Sequence, residues 1–212
     1  MDELSDPCPE EAGLLKMHQE MLSRALRSYW ANLNTSMTVR RYLKERGVTT
    51  ESVQRFGLGY AEAGPQALRS VFPNYQVQAL VDCGLVLEGA RGRYDRFRDR
   101  LIFPILNESG RVIAFGGRTM DDQGPKYLNS PQTALFDKGA TLFGLAQARP
   151  SIETTGEVIV VEGYMDVVGL AQSGVENVVA TLGTAATDAN VQRLLKLADR
   201  VVFCFDRDEA GD

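Results

Sequence analysis

One histidine (His18) and three cysteines (Cys8, Cys83, Cys204) in 212 residues leave little material for zinc or disulfides, and neither residue type recurs at paired spacing. No zinc site is therefore expected, and the thiols should be reduced, with Cys83 and Cys204 as small core residues and His18 in a packing or surface role. Also missing is any apolar run approaching about 18 residues, the length that would cross a bilayer. Met1 to Glu11 is acidic and polar instead of basic and then apolar, so no secretory signal is read there. The expectation is a cytoplasmic protein with no membrane partner. Positive charge is not in excess either. Lys and Arg number 23 against 28 Asp and Glu, and the net charge of -5 argues against a uniformly basic nucleic-acid binder. What is present is a hydrophobic content of 44%, enough for a folded core.

Along the chain, residues 1–13 carry Pro7, Pro9, Gly13 and several acids, the composition of a flexible lead. Apolar residues then recur at helical spacing from Leu14 to Leu33. A second helix is predicted from Met37 to Arg46, capped by Ser36 and stopped at Gly47, and a short third from Thr50 to Phe56. After the Gly64-Pro65 break, two more short helices are expected over 66–72 and 75–83. The period then changes. Leu101 to Leu106 and Arg111 to Phe115 read as strands joined by the turn Asn107-Glu108-Ser109-Gly110, and Lys126 to Asn129 as a further short strand. This predicts an α+β N-terminal unit over 14–153 with a small antiparallel sheet.

From Gly156 the rhythm is strand (158–161), helix (164–172), strand (177–180), helix (188–197) and strand (201–205). Such βαβαβ order predicts a parallel sheet, so an α/β, Rossmann-like unit is expected over 154–212. With only three strands and no closing helix, it is expected to be incomplete at its C-terminus.

Two of those strands end in acids: Val158 to Val161 lead into Glu162-Gly163-Tyr164-Met165-Asp166, and Val201 to Phe205 into Asp206-Arg207-Asp208. Ligands of open α/β sheets gather at the carboxyl ends of the strands. Glu162, Asp206 and Asp208 would then surround one point, a cradle of hard oxygen ligands for a divalent cation such as Mg²⁺, with Asp166 one helical turn on in support. Acids after a strand also cap the next helix, an explanation weakened when three fall in register. Gly183-Thr184 offers a weaker signal, a backbone nest for phosphate.

A second cluster is cationic. In Arg96-Phe97-Arg98-Asp99-Arg100 the arginines alternate, so an extended segment would show all three on one face. Arg118, Lys126 and Lys138 follow, with Tyr94, Phe97 and Tyr127 available to stack on bases, a composition suited to single-stranded nucleic acid or nucleoside triphosphates. On these residues alone, a solvated face salt-bridged to Asp95 and Asp99 is the favoured reading.

The wording of these motifs resembles the catalytic core of bacterial DnaG-type DNA primases. Val161 to Val167 (Val-Glu-Gly-Tyr-Met-Asp-Val) matches the glutamate segment of that family's TOPRIM domain. Ala180 to Thr184 matches its Ala-Ser/Thr-Leu-Gly-Thr segment, and Asp206 to Gly211 its Asp-x-Asp-x-Ala-Gly motif. Upstream, Tyr94 to Pro104, Gly110 to Arg118 and Pro125 to Pro131 are similar to the primase-specific basic half. The resemblance covers about residues 15–212. It implies a DNA-directed RNA polymerase of DNA replication, a nucleotidyltransferase joining ribonucleotides into short primers on single-stranded DNA, impaired in an isolated fragment. Glu162, Asp206 and Asp208 would be the Mg²⁺ or Mn²⁺ ligands, with Asp166 accessory to catalysis. Arg96, Arg98, Arg118, Lys126, Tyr127, Asn129 and Lys138 would contact template or nucleotide. Partners implied are the single-stranded DNA template, ribonucleoside triphosphates, an RNA–DNA hybrid and, through a domain absent from this sequence, the replicative helicase of the primosome. The chain itself is expected to be a monomer.

One departure bears on chemistry: Arg207 stands where the family usually has glycine between the two aspartates. Its guanidinium could pair with an aspartate or a triphosphate, or compete with a metal. Two other functions follow as alternatives, a non-catalytic nucleic-acid-binding module derived from a primase and a TOPRIM nuclease.

Overall fold

A computed structural model of the chain describes residues 8–121, 124–183 and 186–205. It opens with a long helix, α1 (Pro9–Thr35), which starts inside the stretch expected as a flexible lead. The reason is local. Proline at the first helical position lacks only an N–H that would have no partner there, and the Glu11 carboxylate accepts from the Cys8 amide at 3.0 Å. Leu22, Ala25, Tyr29 and Leu33 recur at three- and four-residue intervals and are all buried, so one stripe of the helix is committed to the core.

Helices α2 (Met37–Glu45) and α3 (Thr50–Arg55) follow, each capped by a hydroxyl: Ser36 accepts from the Val39 amide and Thr49 from the Ser52 amide. Strand β1 (Gly59–Ala61) was not anticipated. Gly59 permits it, because a Cβ there would lie 2.6 Å from Tyr29 Cβ and 2.9 Å from its backbone, so α1 can rest directly on the strand. Of the two helices expected over 66–83, the structure forms a 3₁₀ turn at Ala67–Ser70 and a single helical turn, α4 (Ala79–Asp82). A two-stranded hairpin, also unanticipated, comprises β2 (Val86–Gly89) and β3 (Gly92–Asp95).

Strands β4 (Arg100–Leu106), β5 (Val112–Thr119) and β6 (Tyr127–Asn129) complete an antiparallel sheet in the order β1-β4-β5-β6. In the turn between β4 and β5 the Asn107 carboxamide accepts from the Ser109 and Arg111 amides, as the turn composition suggested. Both faces of β4 are covered: Leu101, Phe103 and Ile105 join one apolar cluster and Ile102 another. That explains an unbroken apolar run in an antiparallel strand, where alternation is the usual pattern.

Helix α5 (Leu145–Thr155) leads into the second unit and contains Pro150, whose breaker character masks it in the sequence. There, β7 (Glu157–Val161), α6 (Tyr164–Gln172), β8 (Val178–Ala180), α7 (Asp188–Leu195) and β9 (Arg200–Phe203) give a parallel sheet ordered β8-β7-β9. The α/β rhythm read from the sequence is the one observed. The two units share a single apolar cluster running from Leu33, Val39 and Leu101 to Val161, Tyr164 and Ala180. Burying each such Leu or Phe contributes about 1.5–3 kcal/mol, so the seam between the units is a core and not a loose contact. None of the three cysteines is paired. Cys83 is buried as expected, and burial raises its thiol pKa to about 12; Cys204 is exposed, against expectation. Among the described residues no helix is long and apolar enough to cross a membrane.

Candidate active site

The seam opens into a cleft of about 370 Å³. From the antiparallel unit it is lined by Arg96, Tyr127, Leu128, Asn129, Ser130 and Lys138. From the parallel unit come Glu162, Gly163, Tyr164, Thr181, Leu182 and Gly183. Five of the side chains singled out in the sequence therefore meet across it: Arg96, Tyr127, Asn129, Lys138 and Glu162. Gly183, part of the proposed phosphate nest, takes a left-handed φ of 80° and lines the same space; Thr184 lies outside the described residues.

Two connections made by Tyr164 give the cleft its shape. Tyr164 is buried, stacked on Phe103 (4.9 Å between centroids) and edge-on to Phe143 (4.8 Å), and burial pushes its hydroxyl pKa well up. That hydroxyl donates to Asn129 Oδ1 at 2.6 Å. Room for the ring exists because the facing residue on β5 is Gly116, where a Cβ would collide with the ring and hydroxyl of Tyr164. In the sequence Tyr164 sits inside a motif with no role of its own; the Gly116-Gly117 pair, whose Gly116 faces it in space, is the signal that points to it.

The arginines do not share a face. Asp99 takes a left-handed φ of 49°, which breaks the extended run, and residues 96–99 form no strand. Arg96 donates through Nε (3.0 Å) and Nη2 (2.7 Å) to the Asn129 carbonyl, which fixes it on the cleft wall. Arg98 is exposed, stacks 5.0 Å over Tyr94 and donates to the Asp95 carbonyl. Arg100 is buried and donates to the carbonyls of Gly117 and Pro125. Desolvation lowers the pKa of Arg96 and Arg100, without threatening the charge of a guanidinium. The salt-bridged face is not found either. Asp95 is buried and accepts from the Leu68 amide (2.9 Å) and the Tyr75 hydroxyl (2.5 Å), while Asp99 accepts from the Tyr60 hydroxyl (2.7 Å). Phe97, proposed for base stacking, is 1% exposed and cannot reach a ligand.

Arg118 lies at the margin, 4.4 Å over the Tyr42 ring and opposite Tyr127 in the β5–β6 register. Lys126 is exposed on the approach to β6. Tyr127 is 37% exposed, and partial burial raises its pKa.

On the acidic side, Glu162 is exposed at the carboxyl end of β7. Strand β9 pairs alongside in parallel, with the Cys204 amide donating to the Val160 carbonyl at 2.8 Å. Two residues further on comes Asp206 and then Asp208, both outside the described residues. The described donor is one exposed carboxylate at a strand's carboxyl end, a hard oxygen of the kind a divalent cation takes. Among the described residues no three His, Cys, Asp or Glu side chains gather at one point. Asp166 accepts from the Gly163 amide at 3.1 Å, which caps α6.

Comparisons with known proteins place the chain in a family. Residues 28–149 match the family described as DNA primase catalytic core, N-terminal domain, and residues 156–212 match the Toprim domain. A DNA primase of Neisseria meningitidis serogroup A is 51% identical over 183 residues, which are 86% of this chain and 31% of the relative. A DNA primase of Pseudomonas aeruginosa is 47% identical over 202 residues, 93% of this chain and 30% of the relative. Among solved structures, a DnaG primase catalytic domain bound to single-stranded DNA superposes with a TM-score of 0.88 at 38% identity, covering 94% of this chain and 64% of that one. A DNA primase domain from Pseudomonas aeruginosa gives 0.85 at 47% identity, covering 92% of this chain and 63% of that one. The chain thus spans about a third of the length of these curated relatives.

Proposed function

This chain belongs to the DnaG-type DNA primase catalytic-core family, and from that premise we infer that its cleft is where ribonucleotides are joined on a single-stranded DNA template. The observation that carries the reading is the meeting of Arg96, Lys138, Tyr127 and Glu162 around one space between the two sheets. Arg96, held by the Asn129 carbonyl, keeps the rest of its donor fork for phosphate oxygens, and Lys138 adds a second positive charge. Together they would hold a triphosphate in line for attack by a 3′-hydroxyl. Tyr127, partly exposed in the cleft, would pack against a base. Arg118 and Lys126 would carry the positive surface outward along the template or an RNA–DNA hybrid.

Glu162, with Asp206 and Asp208, would hold Mg²⁺ or Mn²⁺. When bound, the ion supplies charge neutralisation at the reacting phosphate and eases ionisation of the attacking hydroxyl. A cytoplasmic setting, a monomeric state and recruitment by a replicative helicase through another domain belong to the same proposal. Template-dependent ribonucleotide incorporation with magnesium or manganese tests it. Glu162→Gln should lower incorporation by about a hundredfold or more, and a variant with wild-type rates would remove Glu162 from the site.

A second reading rests on Arg207, whose positive charge between the two aspartates favours a nucleic-acid-binding module without a metal. Calorimetric titration with manganese separates the two: binding abolished by Asp206→Asn supports the enzyme, and no binding to the folded chain supports the module.

A further inference from the structure

Asn129 was expected to touch substrate, yet its polar groups are engaged inside the protein. Its carbonyl accepts from Arg96 Nε and Nη2, its Oδ1 accepts from the Tyr164 hydroxyl, and its Nδ2 donates to the Leu182 carbonyl at 2.9 Å. These partners come from three separate stretches. Arg96 follows β3, Tyr164 opens α6 directly after Glu162-Gly163, and Leu182 lies after β8 beside Gly183. Every one of them lines the cleft.

We propose that Asn129 is a positioning residue, a hub whose carboxamide ties the segment following Glu162 to the turn after β8, beside the backbone carbonyl that seats Arg96. The carboxamide is suited to this because it offers an acceptor to a hydroxyl and a donor to a carbonyl from one planar group. Its orientation is set by those partners: a flipped amide would face the Leu182 carbonyl with oxygen. An aspartate would keep the bond to Tyr164 but oppose a carboxylate to that carbonyl. The strand register supports the same role. Asn129 pairs with Gly116, and the missing side chain at Gly116 is what lets the Tyr164 ring reach across.

The inference rests on the cleft being the nucleotide-joining site, so its test carries one readout that needs no activity. In the full chain, hydrogen exchange of the amides at 181–183 should accelerate about fivefold or more in both Asn129→Ala and Tyr164→Phe, because a tether to that turn is lost or loosened. Unchanged exchange in Asn129→Ala overturns the hub whether or not the chain makes primers.

The second readout separates positioning from contact. A misplaced site lowers kcat, whereas a lost ground-state contact raises KM. In templated synthesis, kcat should fall roughly tenfold to a hundredfold in Asn129→Ala and about fivefold in Tyr164→Phe, with the KM for the ribonucleotide within about threefold of wild type. The Tyr164 variant is the sharper probe, since its buried hydroxyl is spent on Asn129. An effect confined to KM would make Asn129 a substrate contact and overturn the proposal. Wild-type chain that incorporates nothing would count against the nucleotide-joining reading alone, and the exchange result would still decide the hub.

Discussion

The two walls of the cleft are built by opposite means. On the parallel side, one local pattern does the work: an apolar strand, a sharp turn and an amphipathic helix deliver Glu162 to the carboxyl end of β7. On the antiparallel side, Arg96 and Asn129 are fixed by partners far away in sequence. Arg96 is held by a carbonyl of β6 and Asn129 by α6 and the turn after β8. The difference teaches that a strand end can specify an acidic site by itself, whereas the cationic wall exists only once the whole core has closed. Substitutions on the antiparallel side should accordingly damage fold and function together, and the first prediction breaks the comparison at its strongest point.

Gly116→Ala is expected to have the largest effect on stability. The added methyl would strike the ring and hydroxyl of Tyr164, which is packed against Phe103 and Phe143. Overpacking of this kind costs about 1–3 kcal/mol, and the upper end applies because the Tyr164–Asn129 bond would be strained as well. Urea unfolding should show the midpoint falling by a matching amount. A midpoint equal to wild type would mean that the two units do not depend on this contact for their seam.

Next in size is the contrast within the arginine run. Arg96→Ala should raise the KM for nucleotide about tenfold, since it removes a charge-assisted donor fork from the cleft wall. Arg98→Ala should change KM less than about twofold, because that side chain is exposed on Tyr94 and absent from the cleft lining. Equal effects from the two would restore the single cationic face that alternation suggested.

That contrast also marks how much was legible beforehand. The βαβαβ order, the helix from Tyr164 to Gln172 and the placement of Glu162 at a strand end all follow from short-range periodicity, and they are what the structure contains. The turn at Asn107 was legible for the same reason. The arginine face was misread because alternation presumes extension, and a single left-handed residue, Asp99, ends it. Hairpin β2–β3 was hidden by its polar strands, although Gly89 and Gly92 bracket its turn. Helix α5 was hidden by Pro150. Nothing local tells that Asn129 bonds Leu182, 53 residues on, because that pairing is a product of the shared core. Asp206 and Asp208, the other acids expected at the site, lie outside the described residues.

The smallest expected effect concerns the buried acid beneath the cationic wall. Asp95 sits among Leu68, Tyr75 and the hairpin, and burial raises its pKa, against the lowering influence of the Tyr75 hydroxyl, the Leu68 amide and the nearby Arg98 charge. A carboxyl whose folded pKa lies above its unfolded value binds its proton more tightly in the folded state. Its contribution to stability is therefore complete at acid pH and is lost as pH rises from the ordinary aspartate value of 3.8 through the raised folded one. Asp95→Asn keeps an acceptor for one of the two donors and cannot ionise. Urea midpoints for wild type and variant, compared from acid to neutral pH, should thus drift apart in the variant's favour as pH increases. Curves that stay parallel would show that the hydrogen bonds to Asp95 cancel its desolvation, and that the antiparallel wall carries its arginines over an acid already at ease as an anion.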